Sequence, residues 1–275
     1  MRDNDILKHW HAIQAANPQA FLHHMLAKDN DLRNQYREFC AEFAGNYLPG
    51  ISGRRYSSHQ LLDHFSAIEQ NIYLLLTHEN RIAIKPLEAM VLLLGIFCHD
   101  VGVKRCNEDS VAWPFEDHHE IGSELVREEC QAIRIRPPLV NSVATLVRYH
   151  RVLPLGDVPE IHAVQGTEIR IQFLASLLRL ADFLDYRHGL ISATAPNIDA
   201  LSRRSLSLRI DSDRWTISIE GHAENRTEAK AALGLKYNME SILGGVKQVL
   251  AHNGLRYETV GIDNNLIAPL LREDE

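Results

Sequence analysis

The feature that most constrains the fold of this chain is an apolar segment near its centre, AMVLLLGIFC at residues 89–98. A helix over residues 87–99 would have no polar face, and a helix without a polar face is buried on all sides. Pro86 suits its first turn, where the N–H that proline lacks would be unpaired in any case. The apolar run is far shorter than the roughly 18 residues that a membrane-spanning helix needs. The segment therefore predicts the central helix of a helical bundle and no membrane span.

Further helices are predicted on both sides of this segment. Apolar residues recur at helical spacing through most of the chain before residue 195, and stretches rich in proline and glycine interrupt them. The interruptions predict loops at residues 46–55, after Asp100 and at residues 154–159. The patterns between them predict helices at residues 21–26, 32–43, 58–77, 118–132, 137–150 and 168–187.

The pattern changes in the last third of the chain. Apolar and polar residues alternate at 206–210 and again at 215–219, which predicts two strands joined by a hairpin turn. A helix at 227–252 and a third strand at 255–262 complete a small α+β region. The predicted fold class is mainly α, a helical bundle with a small C-terminal α+β extension. The predicted units are residues 1–55, 56–195 and 196–275.

Charge and cysteine usage limit the partners and the compartment. The net charge is -7 with histidine neutral, which excludes broad non-specific attraction to nucleic acid but not a local basic groove. The first residues, MRDNDILKHWH, lack the apolar core of a signal peptide. The 4 cysteines, at positions 40, 98, 106 and 130, form no C-x-x-C pair. We therefore predict reduced thiols and a cytoplasmic protein.

The amphipathic N-terminal segment, residues 1–55, fits three roles from its sequence. It could cover a pocket, pack on the bundle or form the contact of a homodimer.

Histidine, the commonest metal ligand, occurs 15 times. His99 and Asp100 end the apolar central helix, where a buried carboxylate needs the compensation that a bound cation supplies. His64 lies on the preceding helix, at a spacing that lets an antiparallel helix pair bring it to His99. Three further candidates lie at helix ends or among apolar neighbours: His118, His150 and Asp182.

These residues form two candidate ligand sets. The first set is His64, His99, Asp100 and Asp182. The second set adds His118 and His150, with Asp100 as the bridge. Histidine and carboxylate ligands suit one or two divalent ions such as Mn²⁺, Fe²⁺, Co²⁺, Ni²⁺ or Zn²⁺, with Mg²⁺ also compatible. Such an ion polarises phosphoryl oxygens and lowers the pKa of bound water, so we expect hydrolysis of a phosphoester.

Several of these choices have a rival of the same residue type nearby. The rivals are His59 for His64, His119 for His118 and Asp185 for Asp182. The spacing to His99 favours His64. Asp182 is favoured because its immediate neighbours are apolar, and Asp185 remains the alternative.

A second group of residues is predicted to contact the substrate. Lys104 and Arg151 follow predicted ligands and could neutralise a phosphate, although ordinary surface charge explains them equally well. His59 and His119 complete this group, as side chains that orient a ligand or contact phosphate.

The ordered set H…HD…H…H…D resembles that of the HD superfamily of metal-dependent phosphohydrolases and phosphodiesterases. The matching segments are DHFSAIEQNIYLL, LLLGIFCHDVG, HHEIGSELV, VRYHRV and LLRLADFLD, over roughly residues 56–190. The resemblance implies an HD-type helical domain around a one-metal or two-metal site. The resemblance implies that the core ligands are His64, His99, Asp100 and Asp182. It also implies that His118 and His150 are the additional ligands found in two-metal members.

The chain also departs from known members of that superfamily. No GYP segment follows His150, unlike in typical cyclic-di-GMP phosphodiesterases. Val101-Gly102 stands where (p)ppGpp hydrolases carry an acidic pair. Neither of those substrates is therefore implied.

The predicted function is hydrolysis of a phosphoester bond in a nucleotide or cyclic nucleotide by metal-activated water, which Asp100 orients. The negative net charge favours a small phosphorylated substrate. One alternative is an HD-type nuclease on single-stranded nucleic acid, although the sequence shows no basic stripe with interleaved aromatic residues. The other is a non-catalytic module that senses a nucleotide, which the complete ligand set disfavours.

Overall fold

The computed structural model describes residues 20–52, 58–108, 117–151, 153–185 and 206–271. Its helices are α1 (Phe21–Leu26), α2 (Asn30–Asn46), α3 (Leu48–Ser52), α4 (Ser58–Leu75), α5 (His78–Ile82), α6 (Pro86–Cys98), α7 (Gly102–Glu108), α8 (His118–Glu128), α9 (Pro137–Tyr149), α10 (Ile171–Leu184), α11 (Arg226–His252) and α12 (Asn264–Leu271). Its strands are β1 (His162–Val164), β2 (Thr167–Ile169), β3 (Leu206–Asp211), β4 (Thr216–Gly221) and β5 (Val260–Ile262). The predicted fold class, mainly α with a small C-terminal α+β extension, is confirmed. The predicted boundaries near residues 55 and 195 lie outside the described residues, so the division into units stays a prediction.

Helix α6 is the central helix that its composition predicts. Every residue from Glu88 to Cys98 is buried, and Pro86 occupies the first turn. Glu88 is the polar exception, and its carboxylate accepts hydrogen bonds from the Arg170 side chain and the Lys85 backbone. By length and composition alone Pro86–Arg105 could cross a membrane, but 83% of its most apolar part is buried inside the protein. The core helix of a soluble protein meets the same criterion, so that composition is weak support for a membrane span.

Aromatic packing fixes the end of α6 that carries His99. The ring of Phe97 meets Phe39 and Phe43 of α2 edge-on, with centroids 5.8 and 5.6 Å apart. Phe65 of α4 lies 4.8 Å from the same ring. Such contacts contribute beyond their buried area and hold three helices in one arrangement. This packing therefore fixes the position of the residues that follow Phe97, which include His99 and Asp100.

Two of the predicted loops contain α-helices, and the loop predicted at residues 154–159 contains a 3-10 helix, Leu155–Asp157. Residues 46–55 were expected to form a loop, but α3 occupies part of this range because Leu48 and Ile51 are buried and their packing outweighs Pro49 and Gly50. The loop expected after Asp100 contains α7. Gly102 serves close packing there, since a Cβ on it would lie 2.0 Å from the backbone oxygen of His118.

The helix expected at 168–187 begins later than predicted. The structure places residues 162–169 in an antiparallel hairpin, in which Ala163 pairs with Glu168. Its turn consists of Gln165 and Gly166, both with positive φ (50° and 78°), as a type I′ hairpin turn requires. Helix α10 then starts at Ile171. The helix predicted at 118–132 also ends earlier, at Glu128.

The C-terminal region contains a three-stranded sheet. β3 and β4 pair antiparallel, as predicted, with Leu208 opposite Ile219. The third strand is shorter than predicted: only Val260–Ile262 pairs, parallel to β4, and Leu255 and Tyr257 pack into the core instead. Helix α12 was not predicted. β3 packs against α4, and α11 packs against α10, so this region supports the two helices that carry His64 and Asp182.

Candidate metal centre

The structure brings all of the predicted ligand residues into one cluster. His64 projects from the middle of α4, and Asp182 from the last turn of α10. His99 and Asp100 follow the end of α6, His118 begins α8, and His150 follows the end of α9. Each of the four histidines is at most 5% exposed. Their role as ligands remains a prediction, which the geometry below supports.

The first group gathers around two imidazole nitrogens. His64 Nε2 lies 3.2 Å from His99 Nε2. Asp182 Oδ1 lies 3.4 Å from His64 Nε2 and 3.7 Å from His99 Nε2. Asp100 Oδ2 lies 3.4 Å from His99 Nε2. Four side chains from three helical segments thus direct ligand atoms to one point.

The second group lies on the other side of Asp100. His118 Nε2 is 3.1 Å from His150 Nε2. Asp100 Oδ1 is 3.2 Å from His118 Nε2 and 3.9 Å from His150 Nε2. The two oxygens of Asp100 therefore face different groups, which is the position of a bridging carboxylate.

The outer ring nitrogens show how the imidazoles are oriented. His99 Nδ1 lies 2.7 Å from the Ile96 carbonyl oxygen, and His150 Nδ1 lies 2.6 Å from the Val147 carbonyl oxygen. His64 Nδ1 lies 2.7 Å from Asp185 Oδ2. Carbonyl and carboxylate oxygens only accept hydrogen bonds, so these three Nδ1 atoms carry the hydrogens. The Nε2 atom of each neutral ring then presents its lone pair to the cluster.

This donor set fits a divalent cation. Without one, two pairs of Nε2 atoms lie only 3.2 and 3.1 Å apart, beside two carboxylates. Lone pairs and carboxylates repel one another unless protons or a metal ion lie between them. Two overlapping sets have ligand atoms within 4.8 Å of one another: His64, His99 and Asp100; and Asp100, His118 and His150. The residues can therefore hold a divalent metal, and their histidine and carboxylate donors suit several such ions.

The electrostatics of the cluster without metal agree with this conclusion. Burial alone would lower the pKa of His64, but hydrogen bonds to Asp182 and Asp185 outweigh burial and raise that pKa to about 10. Burial would raise the pKa of Asp100, but His99 and His118 hold it well below its usual value. Burial, together with the charges of His118 and His99, keeps the pKa of His150 well below its usual value. His64 and His99 likewise hold the pKa of Asp182 well below its usual value, so Asp100 and Asp182 stay ionised and attract positive charge.

The structure separates Asp182 from its rival Asp185. Asp182 faces the inner nitrogen of His64, whereas Asp185 contacts its outer nitrogen. Asp185 is 6% exposed and ends α10. Its position indicates that it orients His64, a role that the sequence did not reveal because the two residues are 121 positions apart.

The predicted substrate contacts are only partly brought to the cluster. His119 is buried, with its ring centroid 6.3 Å from that of His150. Arg151 is partly buried and directly follows His150. The ammonium of Lys104 lies 4.3 Å from the centre of the Tyr47 ring, a contact with an aromatic face and not with a ligand residue. The side chain of His59 lies outside the described residues.

A cavity among the described residues is separate from this cluster. It has a volume of about 420 Å³ and is lined by Pro86 and Pro138, at the N-terminal ends of α6 and α9. The cluster lies at the C-terminal ends of the same helices, about 20 Å away along 13-residue helices. The cavity is therefore no part of the metal centre.

Comparisons with known proteins agree with the geometry. The family described as HD-CE matches residues 53–188, which include every residue of the cluster. In two strains of Mycobacterium tuberculosis, a bifunctional uridylyltransferase/uridylyl-removing enzyme is 28% identical over 92 residues. The aligned part is 34% of this chain and 10% of each relative, so the chain spans about a tenth of their length. No solved structure matches the chain.

The family match describes an HD-type domain, and neither it nor the distant relative specifies a substrate. The cluster of histidines and aspartates lies inside the matched residues and has the donors that such a domain needs. On the strength of this match, residues 53–188 form an HD-type domain.

Proposed function

We propose that the protein is a divalent-metal-dependent hydrolase of phosphoester bonds in a nucleotide or cyclic nucleotide. The observation that carries the proposal is the position of Asp100, whose two oxygens face two separate histidine pairs. A bridging carboxylate of this kind suits a pair of cations that act on one phosphoryl group. The name of the relative, a uridylyl-removing enzyme, agrees with chemistry on a nucleotide.

Cations bound at these ligands would polarise the phosphoryl oxygens and lower the pKa of water. The protein's own residues supply the rest. Asp182 and Asp100 are the more exposed members, at 13% and 20% for their side chains, while the histidines are buried. The cluster thus opens to solvent on its carboxylate side. A phosphate and the attacking water enter there, and Asp100 orients the water by accepting its hydrogen bond.

The substrate class follows from charge. The net charge of -7 opposes a long polyanion, and a compact nucleotide leaves most of the acidic surface uncontacted. Arg151 follows His150 directly and is the basic side chain best placed to meet a substrate phosphate. A nuclease on single-stranded nucleic acid and a non-catalytic nucleotide sensor are the other outcomes of the test below.

The test combines metal content, turnover and ligand binding. Protein purified without chelator is analysed for metal, loaded with Mn²⁺, Fe²⁺ or Ni²⁺, and assayed with nucleotides, cyclic nucleotides and single-stranded oligonucleotides. We expect turnover of a nucleotide, reduced about 100-fold or more by Asp100→Asn, because the loss of even an outer partner reduces activity 10- to 100-fold. Asp63→Asn is the matched control, since Asp63 is exposed on the helix that carries His64.

The alternatives give different results in this test. Turnover of oligonucleotides alone, with affinity that falls steeply as salt rises, would identify a nuclease. Nucleotide binding that survives Asp100→Asn, with no turnover of any substrate by the metal-loaded wild type, would identify a sensor. A wild-type protein that binds no divalent ion would overturn the proposal.

A further inference from the structure

Arg179 is a buried cation beside the metal centre. It lies on α10, one turn before Asp182, and is 3% exposed. Its guanidinium makes three hydrogen bonds, all to backbone carbonyls. Nε and Nη2 donate to the Tyr149 oxygen at 2.9 and 2.7 Å, and Nη2 also donates to the Leu153 oxygen at 2.7 Å.

The environment of Arg179 differs from that of an ordinary buried arginine. Among the described residues, no carboxylate lies within 4 Å of its guanidinium, although a buried charge is normally paired. Burial lowers the pKa of Arg179 to about 10, so the side chain remains a cation at neutral pH. The carbonyls at the C-terminal end of α9, where a helix carries partial negative charge, are what balance it.

These carbonyls flank His150. The chain leaves α9 at His150 and turns tightly, with the Leu153 N–H bonded to the Arg151 oxygen. The orientation of the His150 ring depends on the last turn of α9, because its Nδ1 donates to the Val147 oxygen. Without the guanidinium, the carbonyls of Tyr149 and Leu153 would lose hydrogen bonds that hold this turn in place.

We propose that Arg179 is a positioning residue that holds His150 in the second ligand group. It connects the helix that carries Asp182 to the turn that carries His150, and so sets the distance between the two groups. The role at the metal rests on the proposed function, whereas the role in orienting the His150 ring does not. The two can therefore be tested separately.

Arg170, the residue that caps the N-terminus of the same helix, provides a matched control. It lies at the opposite end of α10, and its Nε and Nη2 each donate to the Glu88 carboxylate at 2.8 Å. Arg170→Met removes an arginine with a similar number of hydrogen bonds, but far from His150. A general loss of stability affects both variants, while a loss of positioning affects Arg179→Met alone.

The first readout needs no metal. Nitrogen-detected NMR of the histidine rings in the chelator-treated protein reports which nitrogen of His150 carries hydrogen. In the wild type and in Arg170→Met we expect a single Nδ1–H form. In Arg179→Met we expect a mixture of tautomers, because the turn no longer holds Nδ1 against the Val147 oxygen.

The second readout is the titration of the metal-free protein with Mn²⁺. We expect Arg179→Met to weaken the affinity for the second Mn²⁺ ion 10- to 100-fold, as the loss of an orienting partner does. The affinity for the first ion should change by a few-fold at most. Arg179→Lys keeps the charge but has a single donor nitrogen, so its affinity for the second Mn²⁺ should lie between those of Arg179→Met and the wild type. It also decides the matter if Arg179→Met does not fold.

The outcomes are distinct. A single Nδ1–H form of His150 and wild-type Mn²⁺ affinities in the folded Arg179 variants would overturn the inference. Equal effects of Arg170→Met and Arg179→Met on the His150 tautomer and on Mn²⁺ affinity would also overturn it, because they would show a general loss of stability and no positioning role. A wild-type protein that binds no Mn²⁺ would count against the proposed function, while the tautomer of His150 would still decide the role of Arg179.

Discussion

Replacing Asp185 by asparagine separates the residue that orients His64 from the residues that hold the cation. Asp185 Oδ2 accepts a hydrogen bond from His64 Nδ1 at 2.7 Å, and its side chain is 6% exposed. Asparagine has the same shape and can still accept this hydrogen bond through its amide oxygen, but it carries no charge. The substitution therefore changes the strength of one contact without removing a ligand atom.

The size of the effect follows from the type of hydrogen bond. Bonds to charged groups contribute about 1.5–3 kcal/mol and neutral ones about 0.5–1.5 kcal/mol. Asp185→Asn should therefore weaken the His64 contact by about 1–1.5 kcal/mol, which is close to tenfold in metal affinity. Asp182→Asn removes the negative charge from a ligand position that lies 3.4 Å from His64 Nε2 and leaves at most a neutral amide oxygen there. Its loss should exceed the roughly 100-fold that is the upper end for outer partners.

The assay is calorimetric titration of the metal-free protein with Mn²⁺ and Ni²⁺ at fixed pH and salt. Asp63→Asn, on the exposed side of the same helix as His64, should leave both affinities unchanged. The reasoning fails if Asp185→Asn abolishes binding at the first group while Asp182→Asn retains it. That result would exchange the roles of the two aspartates.

Three further predictions concern stability. Gly102→Ala places a Cβ 2.0 Å from the His118 backbone oxygen and should lower the free energy of unfolding, measured in urea, by about 1–3 kcal/mol. Gly156→Ala is the control, because a Cβ there would have no atom within 4 Å, and it should leave the free energy of unfolding unchanged. Equal losses for the two variants would contradict the packing argument. Comparison of wild type with His64→Gln in chelator isolates the contribution of His64, whose folded pKa of about 10 exceeds its ordinary 6.5. The contribution of His64 to the free energy of unfolding should be fully present below pH 6.5 and lost as the pH rises to about 10. A contribution that grows over this range would refute the expected direction of the pH dependence. Glu88→Gln should lower the free energy of unfolding by about 2–3 kcal/mol, because it weakens the charged hydrogen bonds of Arg170, but should leave the number of bound metal ions unchanged.

Much of the helical fold could be predicted because it follows from local patterns. The apolar run of α6 requires burial on all sides, whatever surrounds it. The alternation of apolar residues likewise indicates β3 and β4 correctly. These elements bury the faces that their own sequences define, so no distant partner is needed to identify them.

Helices α3 and α7, which sequence reasoning missed, depend on distant contacts. Gly102 was interpreted as a loop residue, whereas it allows α7 to approach the backbone of His118 closely. Helix α3 forms at Pro49 and Gly50 because the burial of its apolar residues outweighs their low helix propensity. Glycine and proline mark loops only where no packing partner compensates, and a single sequence does not show the partner.

The same distinction applies to the orientation of the histidines. His99 and His150 each follow the end of a helix, where carbonyls of the last turn have no partner within the helix. Each ring bonds the carbonyl three residues before it, so its inner nitrogen is directed by local geometry alone. His64 lies within α4, where the backbone carbonyls already have helical partners. Its outer nitrogen therefore requires Asp185, which lies 121 residues later in the chain. A histidine at a helix end can therefore be identified as an oriented ligand from the chain around it, whereas one inside a helix needs a partner that only the fold supplies.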